Sequence, residues 1–337
     1  MPSPTPTYAQ YTNSPKIPDT KYPIPNFLTP RGTIPPMNLR TRAIWAGILA
    51  SSFWGGLFPA IKVVMAVLPP FVLLTVRFTL AIALLLPFVF WKGGFRMDRR
   101  TALKTAAVGA LGFGFTLGIQ FVGTNLSTAA NGALVTTATP AFVVMFGALL
   151  LHERMTRRQA VALVLATLGV LVVMDLPHAH FDAVFWGNVA LLAAALGWAL
   201  YSVLVRWLTR THDTLEVSVV SMAGGLPVVA PLALLQLDSV RWADLSWGTI
   251  WGVLYVAIFA TALAMFLWNY AFTHLETGAA ALTFFAQPLV GTLISVLFLG
   301  EQLTVWFVLG GAMLLAGMYL ASTSPAEPSI TKAEAQR

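Results

Sequence analysis

Charged residues divide the chain into long apolar stretches. No ionised side chain lies between Arg42 and Lys62, and the stretch 69–91 contains a single charge, Arg77. Residues 105–151 contain no Asp, Glu, Lys, Arg or His, and this run is too long for one membrane crossing of about 20 residues. Its polar residues 123–128 therefore mark a turn between two helices. Further apolar stretches cover 159–175, 184–206, 216–236, 247–272, 277–300 and 305–322.

This pattern predicts an all-α integral membrane protein with ten transmembrane helices. One part of the pattern occurs twice. Residues 133–169 align without a gap to residues 281–317, at an offset of 148 positions, and Pro140 then matches Pro288. The chain therefore contains an internal repeat.

Each copy of the repeat holds five apolar spans. Because five is odd, the second copy must cross the membrane in the opposite sense to the first. We expect the first five-helix repeat at 43–175 and the second at 184–322. Inverted 5+5 repeats of this kind are typical of secondary transporters, in which the substrate site lies between the two halves.

The basic residues provide an independent test of the ten crossings. With the N-terminus in the cytoplasm, 17 of the 20 Lys and Arg residues fall in cytoplasmic segments, and Arg241 alone falls in an outer loop. Lys62 and Arg77 lie within spans. Since cytoplasmic loops are enriched in Lys and Arg, this asymmetry predicts that both termini are cytoplasmic.

Composition supports a membrane location and excludes several chemistries. The chain is 57% hydrophobic and 10% charged, whereas soluble domains carry about 25% charged residues. The absence of cysteine excludes disulfides, thiolate catalysis and Cys-ligated metals. The net charge of +7 is explained by basic cytoplasmic loops beside the lipid bilayer, so no nucleic-acid partner is expected.

Both ends of the chain differ from the apolar part. Residues 1–36 contain ten prolines and predict a disordered tail without a secretory signal or transit peptide. Residues 323–337 predict a second polar tail. We hypothesise that the functional chain starts at Met37, because Met37 runs directly into the first span.

Several short motifs occur in a characteristic order along the spans. They are Ser52-Phe53-Trp54-Gly55-Gly56-Leu57-Phe58-Pro59-Ala60-Ile61-Lys62, then Arg77-Phe78, then residues 127–134 with Pro140 and Glu153, and finally residues 277–282 with Gln287-Pro288 and Glu301. In this order, and with the duplication, the chain resembles EamA-type members of the drug/metabolite transporter superfamily. The resemblance covers about 43–322. It implies ten helices, a central cavity, transport of small metabolites and a bacterial inner-membrane location, but not a particular substrate.

Arg77 is the strongest candidate for substrate chemistry. It lies about a third of the way into the second span, where a charge is costly and usually faces a cavity or a partner. An offset of 144 positions, which places Trp54 on Trp198 and Lys62 on Arg206, places Arg77 on Ser221, so the symmetry breaks here. Arg77 either binds an anionic group of the substrate, or it is a structural arginine that bonds helix-end carbonyls or snorkels to the outer surface.

Pro140 and Pro288 each remove a backbone donor near the middle of a span. The sequence predicts two bent helices that shape a cavity, with kinks needed only for packing as the alternative. Aromatic residues cluster near the repeat axis, and interface or lipid-facing positions are the alternative expected for most of them. An aromatic cavity with few charges suits amino acids or similar amphipathic solutes better than sugar phosphates. The predicted substrate-binding residues are Trp54, Phe58, Arg77, Asn131, Thr137, Pro140, Trp198, Tyr201, Trp268, Phe284, Gln287 and Pro288.

Glu153 and Glu301 end the fourth and ninth spans and are predicted gates at opposite faces, with ordinary helix termination as the alternative. A carboxylate at a helix C-terminus is mildly unfavourable, so each glutamate should have a partner, such as a helix N-terminus or an arginine. No Asp or Glu lies deep in a span, which favours facilitated diffusion or exchange over a buried proton relay.

We therefore expect a carrier for small organic solutes. The alternatives are a membrane-embedded enzyme and a non-transporting scaffold. The chain has no nucleophile elbow, Walker loop or metal-ligand spacing, so no enzyme activity, metal or cofactor is expected. Glycines of the tenth span (Gly310, Gly311 and Gly317) indicate close helix packing, with a homodimer contact as the alternative. Export is the expected direction.

Overall fold

The computed structural model describes residues 38–151, 155–175, 181–209, 212–275 and 282–323. Contacts divide the chain into two units, Met1–Met37 and Asn38–Arg337, and all the described residues belong to the second. The predicted tail 1–36 therefore lies outside the described residues, as does nearly all of the predicted tail 323–337.

The described residues are helical apart from short connections. Ten helical segments follow one another: α1 (Leu39–Val64), α2 (Pro70–Trp91), α3 (Arg99–Leu126), α4 (Ala129–Val135, then Thr136–Ala138 and Thr139–Leu151), α5 (Arg157–Val173), α6 (Ala183–Thr209), α7 (Thr214–Leu235), α8 (Trp247–Leu254, then Tyr255–Leu263 and Ala264–His274), α9 (Thr283–Leu299) and α10 (Val305–Ser322).

Eight of these helices are long and apolar enough to cross a membrane. The two others, α5 and α9, each have 17 described residues, at the lower limit of the length that spans the hydrocarbon core. The protein is therefore an all-α, multi-pass membrane protein, and length and composition support eight of the ten predicted crossings.

Helix starts follow from local capping. Asp98 accepts hydrogen bonds from the backbone N–H groups of Arg100 and Thr101 at the start of α3. Thr156 and Thr304, which the repeat aligns, are the N-caps of α5 and α10. Each hydroxyl satisfies a backbone donor that the first helical turn would otherwise leave free.

Two pairs of irregular segments recur in both halves. In the middle of α3, residues Ala110–Thr116 are π-helical, and in the middle of α8, residues Tyr255–Leu263 are π-helical. A 3-10 turn at Thr136–Ala138 lies in α4, and another at Thr283–Phe285 begins the described part of α9. The sequence predicted bent helices at the two prolines, near which the structure has these 3-10 turns, and it did not predict the π-helical segments.

Several helices make their most extensive contacts with helices of the other half. Helix α1 packs along α8 and α9, and correspondingly α6 packs along α3 and α4. Helix α2 packs along α7, and α5 along α10. These contacts are thus preserved when the two halves are exchanged.

Close contacts show the sense in which packed helices run. Gly47 of α1 lies against Thr283 and Gly56 lies against Ile294, so α1 and α9 are parallel. Gly252 of α8 lies against Val64 of α1, and Phe259 contacts Phe53, so α1 and α8 are antiparallel. These senses agree with strict alternation of direction from helix to helix.

The glycines of α10 pack against another helix of the same chain. A Cβ at Gly310 would lie 2.5 Å from the carbonyl oxygen of Gly169, and one at Gly317 would lie 2.9 Å from the carbonyl oxygen of Ala162. Both contacts are with α5. This small-residue face therefore lets α5 and α10 approach closely, as the packing interpretation predicted.

Candidate functional site

Three of the predicted substrate-binding aromatics form one cluster. The ring centroid of Trp54 (α1) lies 5.1 Å from that of Trp268 (α8) and 5.9 Å from that of Phe284 (α9), and Trp268 and Phe284 lie 5.5 Å apart. The rings meet edge to face, a favourable arrangement for aromatic pairs. All three side chains are half-buried, so they combine a large apolar surface with an accessible side.

Trp198 and Tyr201 belong to a different cluster. Their ring centroids lie 4.8 Å apart, and both contact Phe113 of α3, at 5.6 and 5.5 Å. Tyr201 and Phe113 are buried. The structure therefore separates Trp54 from its repeat equivalent Trp198: each packs against the third helix of the other half.

The prolines coincide with irregular backbone whose polar groups are satisfied locally. Pro140 cannot donate to the carbonyl of Thr136, and the Thr139 hydroxyl donates to that carbonyl instead, at 2.7 Å. The Thr137 hydroxyl donates to the carbonyl of Leu134 at 2.6 Å. Thr137 thus uses its donor within α4.

A buried amide joins the two proline-containing helices. Gln287, next to Pro288 in α9, is 3% exposed, and its Nε2 donates to the Thr136 hydroxyl of α4 at 3.0 Å. Phe58 of α1 packs beside the same helix, in a buried cluster with Ala129 and Ala133. The hydrogen bond between Gln287 and Thr136 therefore joins α4 and α9 close to their 3-10 turns.

Arg77 is buried, with 5% of its surface exposed. Its Nε donates to the hydroxyl of Thr261, in the π-helical segment of α8, at 2.8 Å. Its Nη1 is buried and has no hydrogen-bond partner. The guanidinium carbon lies 5.5 Å from the ring centroid of Phe121. The snorkelling alternative does not fit this position, since the side chain is enclosed by protein.

Glu301 binds the start of α4. Its two carboxylate oxygens accept hydrogen bonds from the backbone N–H groups of Ala129 and Ala130, at 2.7 and 2.8 Å. Free N–H groups and the positive end of the helix dipole favour a carboxylate at this place. Glu301 therefore has a helix N-terminus as its partner, and we call this side of the bundle the Glu301 end.

Lys62 binds the end of α3, just before the turn that connects α3 to α4. Its Nζ donates to the carbonyl oxygens of Thr124 and Asn125, at 3.0 and 2.8 Å, and to that of Ser127. A lysine at a helix C-terminus satisfies carbonyls that have no partner within the helix. Lys62 and Glu301 thus hold the α3–α4 turn from both sides, and we call the pair the turn clamp.

Asn131 also lies at the Glu301 end. Its Nδ2 donates to Ser127 Oγ and to Asn188 Oδ1, at 3.2 and 3.1 Å. Both asparagines line a cavity of about 290 Å³ together with Asp175 and Asp182. The structure therefore separates Asn131 from the aromatic cluster around Trp54.

The opposite side of the bundle, which we call the Glu216 end, brings two connections together. Lys92 Nζ lies 3.1 Å from a carboxylate oxygen of Asp213, and Glu216 Oε1 accepts from the N–H groups of Arg96 and Met97, at 2.9 and 2.7 Å. A cavity of about 230 Å³ lies among these side chains. The α2–α3 and α6–α7 connections therefore share one end.

The charge environment also affects Asp213. Partial desolvation acts to raise its pKa, but hydrogen bonds from Lys92 and from the N–H of Leu215 outweigh it and hold the pKa below its usual value. Asp213 is therefore ionised at neutral pH. The predicted gate Glu153 lies outside the described residues.

Three residues with specific contacts were not in the predicted site. Thr261 bonds to Arg77, Asn188 bonds to Asn131, and Lys62, which lies within the first apolar span, forms half of the turn clamp. A lysine inside an apolar span was a usable signal for Lys62. Nothing in the local sequence distinguishes Thr261 or Asn188. Within the described ranges, no group of three or more His, Cys, Asp or Glu could hold a metal.

Several known proteins are similar to this chain over most of its length. A probable amino-acid metabolite efflux pump of Salmonella typhimurium is 26% identical over 288 residues, covering 81% of this chain and 92% of the relative. A probable terminal-alkyne amino-acid exporter of Streptantibioticus cattleyicolor is 26% identical over 282 residues, covering 83% and 93%. A transporter of Archaeoglobus fulgidus, named as uncharacterized, is 27% identical over 290 residues, covering 85% and 98%.

A chain of known crystal structure has the same fold, with a TM-score of 0.59 at 22% identity, over 83% of this chain and 96% of the other. The model of the EamA-like transporter family matches twice, at residues 41–175 and 185–323. The two matches together cover most of the chain. The three relatives described above are named as a transporter, an efflux pump and an exporter. The chain therefore belongs to the EamA-like transporter family, within the drug/metabolite transporter superfamily, and is a multi-pass membrane transporter.

Proposed function

We propose that this protein is a secondary transporter that exports amino acids or similar amphipathic metabolites across the bacterial inner membrane by alternating access. The observation that carries this proposal is the half-buried cluster of Trp54, Trp268 and Phe284, which offers aromatic surface from three helices at one place. The cluster joins α1 of the first half to α8 and α9 of the second, as expected for a substrate site between repeats.

The proposed architecture is ten crossings in two inverted five-helix repeats, with both termini in the cytoplasm. Equivalent packing of α1 with α8 and α9, and of α6 with α3 and α4, supports a two-fold relation between the halves. The parallel and antiparallel senses of the packed helices support strict alternation. In this orientation the Glu216 end is cytoplasmic and the Glu301 end is external.

Cysteine labelling tests the architecture cleanly, because the natural chain contains no cysteine. We expect single cysteines at Arg100→Cys and Thr214→Cys to react with a membrane-impermeant maleimide only after bacterial cells are permeabilised. Trp242→Cys, at an exposed site in the connection before α8, should react in intact cells and serves as the external control. Labelling of Arg100→Cys and Thr214→Cys on opposite sides would contradict the inverted repeat.

The amino-acid class is supported by the aromatic cluster and by the relatives from Salmonella typhimurium and Streptantibioticus cattleyicolor, whose names specify amino-acid metabolites. Apolar and aromatic walls bind the apolar part of such a solute. Facilitated diffusion or exchange is the proposed mode. We further propose that Glu301 closes the external end, and that Glu153 has the equivalent role at the other end.

The aromatic cluster predicts a specific transport defect. Trp54→Ala should raise the KM for saturable amino-acid flux in proteoliposomes by about tenfold, because losing an aromatic wall of the site costs about 1.4 kcal/mol of binding. Trp54→Phe should lie between this variant and the wild type. Trp251→Ala is the matched control, since Trp251 is 67% exposed and should leave KM unchanged. Equal KM values for Trp54→Ala and Trp251→Ala would exclude the cluster as the solute site.

A further inference from the structure

Arg77 is a buried cation with an unfilled hydrogen-bonding position. Nε is bonded to Thr261, whereas Nη1 is buried without a partner. Neither of the ion pairs found among the described residues, Lys92–Asp213 and Arg241–Asp244, includes it. An unpaired charge inside a membrane protein costs several kcal/mol, so a stable role for Arg77 calls for an anion.

Thr261 determines how the guanidinium is presented. Its hydroxyl accepts from Arg77 Nε and donates to the carbonyl of Val256, five residues earlier, at 2.7 Å. The hydroxyl's only proton is thus used, and Thr261 has none left for a ligand. Thr261 is therefore a positioning residue, which fixes Nε and leaves Nη1 as the buried guanidinium nitrogen without a partner.

Aromatic rings restrict the approach to the guanidinium. The ring centroids of Phe78 and Phe121 lie 5.9 and 5.5 Å from its central carbon, close enough for cation–π contact. Both phenylalanines are fully buried. Nη1 is the nitrogen left without a partner beside these rings, and a carboxylate that reached it would accept a charge-assisted hydrogen bond.

The same helix connects this position to the aromatic cluster. Thr261 and Trp268 are seven residues apart on α8, which corresponds to about 10 Å along a helix. Arg77 (α2) and Trp54 (α1) contact α8 at these two levels. An amphipathic solute could therefore place an acidic group at Arg77 and its apolar part towards Trp54 and Trp268.

We propose that Arg77, positioned by Thr261, binds the carboxylate of the transported solute, an assignment that rests on the proposed function. The site exists once per chain. The equivalent position in the second half is Ser221, which is fully buried and offers no charge. One chain therefore binds one carboxylate, despite the internal repeat.

Thermal stabilisation of the purified full-length protein tests the site without requiring flux. The probes are L-phenylalanine and L-leucine, each paired with the amine that lacks the carboxylate, phenethylamine or isoamylamine, and sodium chloride alone. We expect at least one amino acid to stabilise the wild type more strongly than its amine does. Arg77→Lys and Thr261→Val should weaken that binding by about tenfold or more, since a charge-assisted hydrogen bond contributes about 1.5–3 kcal/mol. Ser221→Ala, the repeat-equivalent control, should bind like the wild type.

Three results would overturn the proposal. The first is equal binding of amino acids by the wild type and Arg77→Lys, and the second is no preference for an amino acid over its amine. The third is saturation of the Arg77-dependent stabilisation by chloride alone, which would identify an inorganic anion as the ligand. Flux measurements in proteoliposomes distinguish failure of the Arg77 site from failure of the proposed transport function. Carboxylate-dependent binding without saturable flux would refute the proposed transport function but support the carboxylate site at Arg77. Saturable flux that Arg77→Lys does not change would support transport but refute the site.

Discussion

Gly224→Ala is expected to destabilise the protein by about 3 kcal/mol, at the upper end of the usual cost of overpacking. A Cβ at Gly224 would lie 2.1 Å from the carbonyl oxygen of Ala106 and 2.6 Å from its carbonyl carbon. These atoms belong to the main chain of α3 and cannot rotate away, so α3 and α7 must separate. The reciprocal contact, between Gly109 and the main chain of Ser221, would open with it.

The measurement is the melting temperature of the purified protein in detergent, followed by the fluorescence of its 11 tryptophans. A loss of about 3 kcal/mol corresponds to a fall in melting temperature of about 4 °C for a chain of 337 residues, because the unfolding entropy is about 2.1 cal/mol/K per residue. Gly248→Ala is the matched control, because the nearest atom to its added Cβ is Ser246 Oγ at 3.5 Å, and an exposed helix position changes stability by less than about 0.5 kcal/mol. Similar melting of the two variants would show that the α3–α7 crossing adjusts easily.

Glu301→Gln is expected to open the Glu301 end of the bundle. The carboxylate now accepts from the N–H groups of both Ala129 and Ala130. An amide has one oxygen and no charge, so the variant loses one of these bonds and the attraction to the start of α4. Since hydrogen bonds to charged groups contribute about 1.5–3 kcal/mol, the population open at this end should rise about tenfold or more.

Ala130→Cys reports this opening. Ala130 is 2% exposed and lies on the cavity wall at the Glu301 end, so a thiol there reacts slowly while the turn clamp is closed. The rate of maleimide labelling should increase about tenfold when Glu301→Gln is added. Asp244→Asn is the charge-matched control, because Asp244 is exposed and pairs with Arg241 in the connection before α8. An unchanged labelling rate in Glu301→Gln would mean that the clamp contributes to stability but does not gate.

The helical architecture was largely predictable because the membrane limits the alternatives. Within a bilayer, backbone groups must be bonded inside each segment, so a long apolar stretch has to be a helix. The stretches 69–91 and 305–322 reappear as α2 and α10 with nearly the same bounds. The offset of 148 positions also aligns Thr156 with Thr304, which are both N-caps, and Pro140 with Pro288, which both lie close to a 3-10 turn.

The side-chain partners in the candidate site were much less predictable. Trp54 and Trp198 are equivalent in the repeat, yet they lie in separate aromatic clusters. Asn131 was grouped with midplane residues, and the structure pairs it with Ser127 and Asn188 at the Glu301 end. Helices in a membrane are apolar on all sides, so hydrophobic periodicity does not tell which face meets which neighbour.

The sequence by itself determined that this is a duplicated, helical membrane protein, since the hydrophobic length of each span and the internal repeat are visible in one dimension. It also marked Arg77 as a costly charge and Glu301 as a carboxylate in need of a partner. Only the tertiary structure decided that Arg77 meets Thr261 and that Glu301 caps α4. The physical reason is that these contacts join residues 184 and 172 positions apart, and their geometry depends on the rotation and register of packed helices and, for Thr261, on a π-helical segment.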